Sequence, residues 1–159
     1  MFGLFRTEDF HHPSLGTLQR SRGYWRGQIS FPGVGTVPLI IDGTRKGPDS
    51  HALQHAINLP LDFAHIAPQL KQALYEHYEP YAEATTKGHL AAPREPLPQV
   101  SCPEDTLRLV VPEAVAIIEL DGELATEMCF YVPWDEEHML GARFRGGQWI
   151  ELCGSTLVP

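Results

Sequence analysis

At 159 residues, with 43% hydrophobic and 20% charged residues, the chain has the size and composition of one globular domain. Such a domain buries roughly 70% of its unfolded surface, so it needs neither disulfides nor a structural metal, and general disorder is excluded. The formal charge of −8 is uneven: residues 1–50 carry six Lys/Arg against four Asp/Glu, whereas residues 104–137 carry ten acids against Arg108 alone, a local charge of −9. A phosphate backbone needs a basic stripe, so nucleic acid is excluded as a direct partner. No apolar run approaches the roughly 20 residues of a membrane span, and residues 1–6 lack the basic start and apolar core of a secretion signal. A soluble, cytoplasmic protein away from membranes is expected.

Residues 1–14 show no period and read as a lead-in arm. Residues 15–20, 24–31 and 37–41 then read as a three-stranded meander; in the second run Trp25, Ile29 and Phe31 fall on one face and Arg26, Gln28 and Ser30 on the other. Arg22-Gly23, Pro32-Gly33 and Asp42-Gly43 supply turns, and Pro38 places its strand at an edge or a bulge. Gly33 and Gly35 lack the third glycine and following helix of a nucleotide fingerprint, and residues 43–47 lack the Gly-Lys-Ser/Thr ending of a phosphate loop.

Pro48, Asp49 and Ser50 offer a helix N-terminus, and residues 51–58 place Leu53, Ala56 and Ile57 on one face. Phe63, Ile66, Ala67, Leu70, Leu74, Tyr78 and Tyr81 continue at helical spacing. Proline interrupts a helix interior, so the pattern predicts a second helix that begins at Pro68 and ends near Glu79, before Pro80. The proline-rich residues 83–103 read as a surface connection. Residues 107–111, 114–120 and 126–132 then read as strands, with Asp121-Gly122 as a hairpin turn. A β-hairpin over 140–145 and 148–152, turning at Gly146-Gly147, closes the chain. Three strands, two helices and about five further strands predict a single α+β domain with a mainly antiparallel sheet.

The most functional-looking stretch is the acidic knot of Trp134, Asp135, Glu136, Glu137 and His138. Its carboxylates and imidazole could supply a general base or ligands to a hard divalent metal. A structural reading accounts for them equally: Trp134 as a buried anchor, the acids as acceptors for loop amides, and His138 bonded to backbone or carboxylate. His51 and His55, four apart on a helix, share a face and could hold a metal, but no third ligand follows locally. Ser155 follows Gly154 without a nucleophile elbow, and nothing basic adjoins Cys153 to activate it. Cys102, Cys129 and Cys153 lack metal-site spacing and read as buried small hydrophobes in a reducing compartment.

The run Trp134-Asp135-Glu136-Glu137-His138-x-Leu140-Gly141-Ala142-Arg143-Phe144, closing on Gly154-Ser155, resembles that of a family of small bacterial proteins with a domain of unknown function. The opening Leu15-Gly16-Thr17-Leu18 and the meander ending at Asp42-Gly43 are similar to the start of the same family. The resemblance implies a bacterial cytoplasmic α+β domain, with Trp134, His138 and Gly141 as structural motif residues, some relatives being immunity-protein-like in toxin loci.

With no catalytic signature, the leading expectation is a non-enzymatic binding protein without a cofactor, monomeric or weakly oligomeric. Its acidic face would neutralise a basic protein partner such as a cognate toxin through Asp121, Glu123, Glu127, Asp135, Glu136 and Glu137. The alternative is a metal-binding protein or metal-assisted hydrolase using Glu136, Glu137 and His138, with His51 and His55 brought near by folding.

Overall fold

The computed structural model describes residues 7–89 and 95–155. Residues 1–6 of the expected arm and 90–94 of the proline-rich connection lie outside that range. The chain forms β1 (Phe10–His12), β2 (Gly16–Ser21), β3 (Tyr24–Phe31), β4 (Gly35–Ile41), a small ribbon of β5 (Gly43–Thr44) and β6 (Gly47–Pro48), one helix α1 (Ser50–Thr86), then β7 (Val111–Leu120), β8 (Glu123–Val132), β9 (Asp135–Arg145) and β10 (Gln148–Gly154). Eight strands make one sheet in the order β1-β2-β3-β4-β7-β8-β9-β10. Every pairing in it is antiparallel except β4 with β7, which run parallel from Leu39 opposite Val115 to Ile41 opposite Ile117. A parallel pair needs a crossover, and α1 is that crossover. The expected α+β class with a mainly antiparallel sheet is what the chain adopts.

Its parts differ from expectation in four places. The arm contains β1, so four strands rather than three precede the ribbon and helix. Residues 107–109 are not strand; with Pro103–Asp105 they form two 3-10 turns. Asp105 accepts from the Ser101 amide and Thr106 donates to the Pro103 carbonyl, local bonds that compete with a ladder. Among the described residues four strands rather than five follow the helix. The two predicted helices are one.

The single helix is the largest difference, since Pro60, Pro68 and Pro80 all lie inside it. An interior proline costs about 3 kcal/mol in helix propensity. Against this, Ala52, Ala56, Leu59, Phe63, Ile66, Leu70, Leu74 and Tyr78 form one unbroken buried stripe that passes both Pro60 and Pro68. Burying each large aliphatic or Phe side chain contributes roughly 1.5–3 kcal/mol, which in sum offsets the prolines. Pro68 and Pro80 point to solvent, where the carbonyls they leave unpaired can bond water. Asp49 caps the start as expected, accepting from the amides of His51 and Ala52 at 2.9 Å.

The helix stripe packs on the sheet face carrying Trp25, Leu39, Ile41, Val115, Ile117, Met128, Phe130, Ala142 and Phe144. Phe31 meets Phe63 with ring centroids 5.1 Å apart. The other sheet face carries a small apolar cluster of Ile40, Ala114, Ala116 and Cys129, flanked by Tyr24, Ile118 and Met139. The turn signals hold: Arg22-Gly23 and Asp121-Gly122 both take positive φ (52° and 89°, 54° and 80°), as a two-residue hairpin turn with right-handed strand twist requires.

Candidate functional site

The acidic knot is not a loop. Val132 pairs with Asp135 across a two-residue turn, so β9 starts at once. The next pair of the β8–β9 ladder is Phe130 with Leu140, which leaves the four residues from Glu136 to Met139 opposite Tyr131 alone. This wide bulge is what projects Glu136, Glu137 and His138 into solvent.

Asp135 anchors the bulge from inside, being only 6% exposed. Its Oδ1 accepts from the Glu137 amide at 3.3 Å, the His138 amide at 3.2 Å and His138 Nδ1 at 2.9 Å. Its Oδ2 accepts from the Tyr81 hydroxyl at 2.8 Å, with His77 Nε2 4.0 Å away. The Trp134 indole donates to His77 Nδ1 at 3.0 Å and packs edge-on against Tyr78. An indole can only donate, so Nδ1 of His77 is the acceptor and its proton is on Nε2, facing Asp135. Residues 134–138 are thus bolted to the last turns of α1.

The electrostatics of this network follow from its burial. Burial lowers the His77 pKa; Asp135 opposes that shift and His138 adds to it, so the ring is neutral near pH 7. Burial would raise the Asp135 pKa, but the hydrogen bonds from Tyr81 and His138, helped by the His138 charge and the Glu137 amide, hold it below its ordinary value. Burial and the bond to Asp135 push Tyr81 up to about 12. The result is an ionised carboxylate with both oxygens engaged, between a neutral imidazole and a protonated phenol. That arrangement orients and rigidifies; it presents no open acceptor to a substrate.

A second buried polar group lies on the sheet face away from the helix. Glu127 is fully buried in β8, and its Oε2 accepts from Arg143 Nε at 2.8 Å and its Oε1 from the Ser155 hydroxyl at 2.7 Å. Arg143 also donates to Glu151 at 2.9 Å, and its bond to Glu127 raises its pKa despite partial burial. Gly141 lies directly against this carboxylate: a Cβ there would come within 2.8 Å of Glu127 Cδ. The expected structural role of Gly141 thus has a physical cause, while Trp134 and His138 are explained by their bonds to His77 and Asp135.

Of the six expected contact acids, Glu127 and Asp135 are therefore withdrawn: both are buried and spent on internal partners. Asp121 and Glu123 lie exposed at the β7–β8 turn, Glu123 paired with Arg145 at 3.1 Å. Glu136 and Glu137 lie at the other end of the ten-residue β8, about 33 Å away at strand rise. The six do not form one face.

His51 and His55 open α1, whereas His138 is tied to its far end through Asp135 and Tyr81. The 26 residues from His51 to His77 span about 39 Å of helix. Among the described residues no three His, Cys, Asp or Glu are grouped to hold a metal. Cys129 is the buried hydrophobe expected, its thiol pKa raised by burial; Cys153 is half-buried with the same shift and cause, and Cys102, contrary to expectation, is exposed.

With the geometry stated, comparison with known proteins adds one finding. Residues 14–156 match a family model described as a domain of unknown function (DUF6985). The chain belongs to that family. The match takes in every described element from β2 to β10 and leaves out β1, so Glu127, Gly141, Arg143 and the Trp134–His138 bulge, with both polar networks, lie within the family domain. Among curated proteins and among solved structures, nothing matches the chain. No described helix is long and apolar enough to cross a membrane.

Residues that the sequence did not single out carry much of the site. His77 and Tyr81 belonged to a helix pattern, and only Tyr81 to its apolar stripe. Arg143 and Ser155 carried no local sign of their shared partner. Four surface clefts among the described residues, of about 560, 470, 500 and 610 Å³, lie elsewhere, none of these lined by Asp135, His77 or Glu127.

Proposed function

We propose that this protein is a non-enzymatic binding module for a basic protein partner, of the inhibitor or immunity type, and that its contact surface centres on Tyr131. The observation that carries the reading is the patch around the β9 bulge. Tyr131 is 44% exposed, and directly opposite it on β7 is Val111, 59% exposed. These two apolar side chains are neighbours on adjacent strands, with exposed Glu136, Glu137 and His138 projecting from the bulge that faces Tyr131. An exposed tyrosine with an apolar neighbour and a charged rim has the make-up of an interface hot spot. The rim's sign suits a basic partner and speeds association with one. Asp135 supports the patch from beneath by fixing the bulge to Tyr81 and His77, which pre-organises the exposed acids rather than spending them.

The test is recovery of the tagged protein from cells that also express its neighbouring genes, at low and then high salt. One stoichiometric basic protein that elutes with salt is expected. The variant Tyr131→Ser with Glu136→Gln and Glu137→Gln should bind that protein about tenfold or more weakly, with a shallower salt dependence. Unchanged affinity and salt dependence would refute the patch. Asp121 and Glu123, at the opposite end of β8, should be dispensable.

A further inference from the structure

We propose that β10 is a self-association edge: two copies of the chain pair their β10 strands antiparallel about a two-fold axis at Leu152, continuing one sheet into the other. This goes beyond the reading above and uses a different surface. Among the described residues the sheet ends on β1 and on β10. β1 is three residues long and is followed by Pro13, the kind of short, proline-stopped edge that resists pairing. β10 is seven residues long, holds no proline or lysine, and carries one charge, Glu151. That charge is already engaged by Arg143 at 2.9 Å. The remaining protective device is the bulge between Trp149 and Glu151, which leaves residues 151–154 regular.

The hydrogen-bond phase shows what this edge offers. The Ser155 amide donates to the Met139 carbonyl at 2.9 Å, continuing the register in which Cys153 faces Gly141 and Glu151 faces Arg143. Alternation in an antiparallel ladder then turns the amides and carbonyls of Leu152 and Gly154 away from β9, toward the open side. A two-fold axis at Leu152 joins the two Leu152 residues in a hydrogen-bonded pair, sets Glu151 of each copy opposite Cys153 of the other, and brings the bulge residue Ile150 of each copy near Gly154 of the other. Ile150 is 38% exposed, and a Cβ on Gly154 would meet nothing within 4 Å, so a bulky apolar side chain faces an empty glycine site. The two Glu151 side chains fall on a diagonal rather than face to face, each held by its own Arg143.

The helix side is complementary too. α1 lies chiefly over β10, and between them runs an open groove of about 500 Å³ lined by Pro68, Gln69, Gln72, Ala73, Glu76 and Trp149. Bringing a second α1 alongside across the axis covers this groove and the half-buried Leu152 and Trp149.

Sedimentation of the full chain from low to hundreds of micromolar concentration tests the proposal. The mass is expected to rise from 17.8 kDa toward twice that value. Ile150→Lys, at an exposed position that leaves the fold intact, should raise the dimer dissociation constant about tenfold or more, equivalent to about 1.4 kcal/mol. Leu152→Pro, which removes an outward amide, should do the same. Arg22→Glu, at the β2–β3 turn, should leave self-association unchanged. A wild-type chain that stays at 17.8 kDa throughout overturns the proposal. A dimer that survives Ile150→Lys with unaltered affinity overturns the assignment to β10.

Discussion

Replacing Arg143 by Met tests whether the open sheet face is held together by its buried ion pair. Met keeps the unbranched apolar stem of Arg out to the Nε position but removes the guanidinium, including the Nε donor 2.8 Å from Glu127 Oε2. Glu127 is fully buried, so the carboxylate left behind keeps the Ser155 hydroxyl as its remaining described hydrogen-bond donor. Removing one partner of a buried pair costs about 3–5 kcal/mol, because the surviving charge stays desolvated. Arg143 is 12% exposed, and water reaching the vacated space places the expected loss near the lower figure, about 3 kcal/mol. For a domain of this size each kcal/mol moves Tm by about 2–4 °C, so a fall of roughly 6–12 °C is expected in calorimetry, with an unchanged urea m-value. The companion variant Glu127→Gln with Arg143→Met removes both charges and should recover more than half of the loss. A single variant within about 1 kcal/mol of wild type, or a double variant no better than the single, would refute the account of Glu127 as a charge that depends on Arg143.

Other perturbations probe the remaining links. Gly141→Ala forces a Cβ to within 2.8 Å of Glu127 Cδ and should destabilise by about 1–3 kcal/mol, with partial relief when Glu127 is Ser; urea titration of both variants checks it. Pro68→Ala restores an amide donor on the solvent side of α1 and should stabilise by about 1–3 kcal/mol, whereas a helix that began at Pro68 would gain nothing. Tyr81 keeps its proton in the folded state up to about 12, while the unfolded chain releases it near 10; stability from this group is fully present below pH 10 and falls as pH rises between those values. Tyr81→Phe should abolish that alkaline slope and cost about 1.5–3 kcal/mol at neutral pH through the lost bond to Asp135. His77 is held below its ordinary 6.5, so its contribution is present above that value and is lost as the unfolded chain takes up a proton below it; His77→Gln should flatten the stability curve just under pH 6.5.

What was legible from residues alone was what the chain decides locally. Arg22-Gly23 and Asp121-Gly122 announce two-residue turns because positive φ is a property of the turn itself, and Asp49 announces a helix start because the cap bonds lie within three residues. The single helix was hidden for the opposite reason. Pro60, Pro68 and Pro80 are local costs, while the gain that overrides them is the burial of Leu59, Phe63, Ile66 and Leu70 against strands far away in sequence. The local bonds of Asp135 to the Glu137 and His138 amides and to the His138 ring fit the structural reading of the knot, but nothing nearby hints at Tyr81, 54 residues earlier, as its further partner.

Glu127 shows where the limit falls most sharply. From residues alone Glu127 is expected at the contact surface, although its neighbours on that face of the strand, Ala125 and Cys129, are small and apolar. Naming its partner requires register. Counting back from the turn, where Val132 pairs with Asp135, places Glu127 opposite Leu140. The structure places it opposite Arg143, because the β9 bulge inserts three residues between the turn and the ladder. The same bulge projects Glu136 and Glu137 into solvent and brings Arg143 to Glu127. One irregularity therefore fixes both the candidate binding surface and the charge balance of the sheet behind it. Deleting Glu136, Glu137 and His138 together would remove the acidic rim and close the bulge with Tyr131 opposite Met139, leaving Leu140 opposite Phe130 and Arg143 opposite Glu127; a chain that keeps its fold and loses only the rim is the expected outcome, and circular dichroism of the deletion variant decides it.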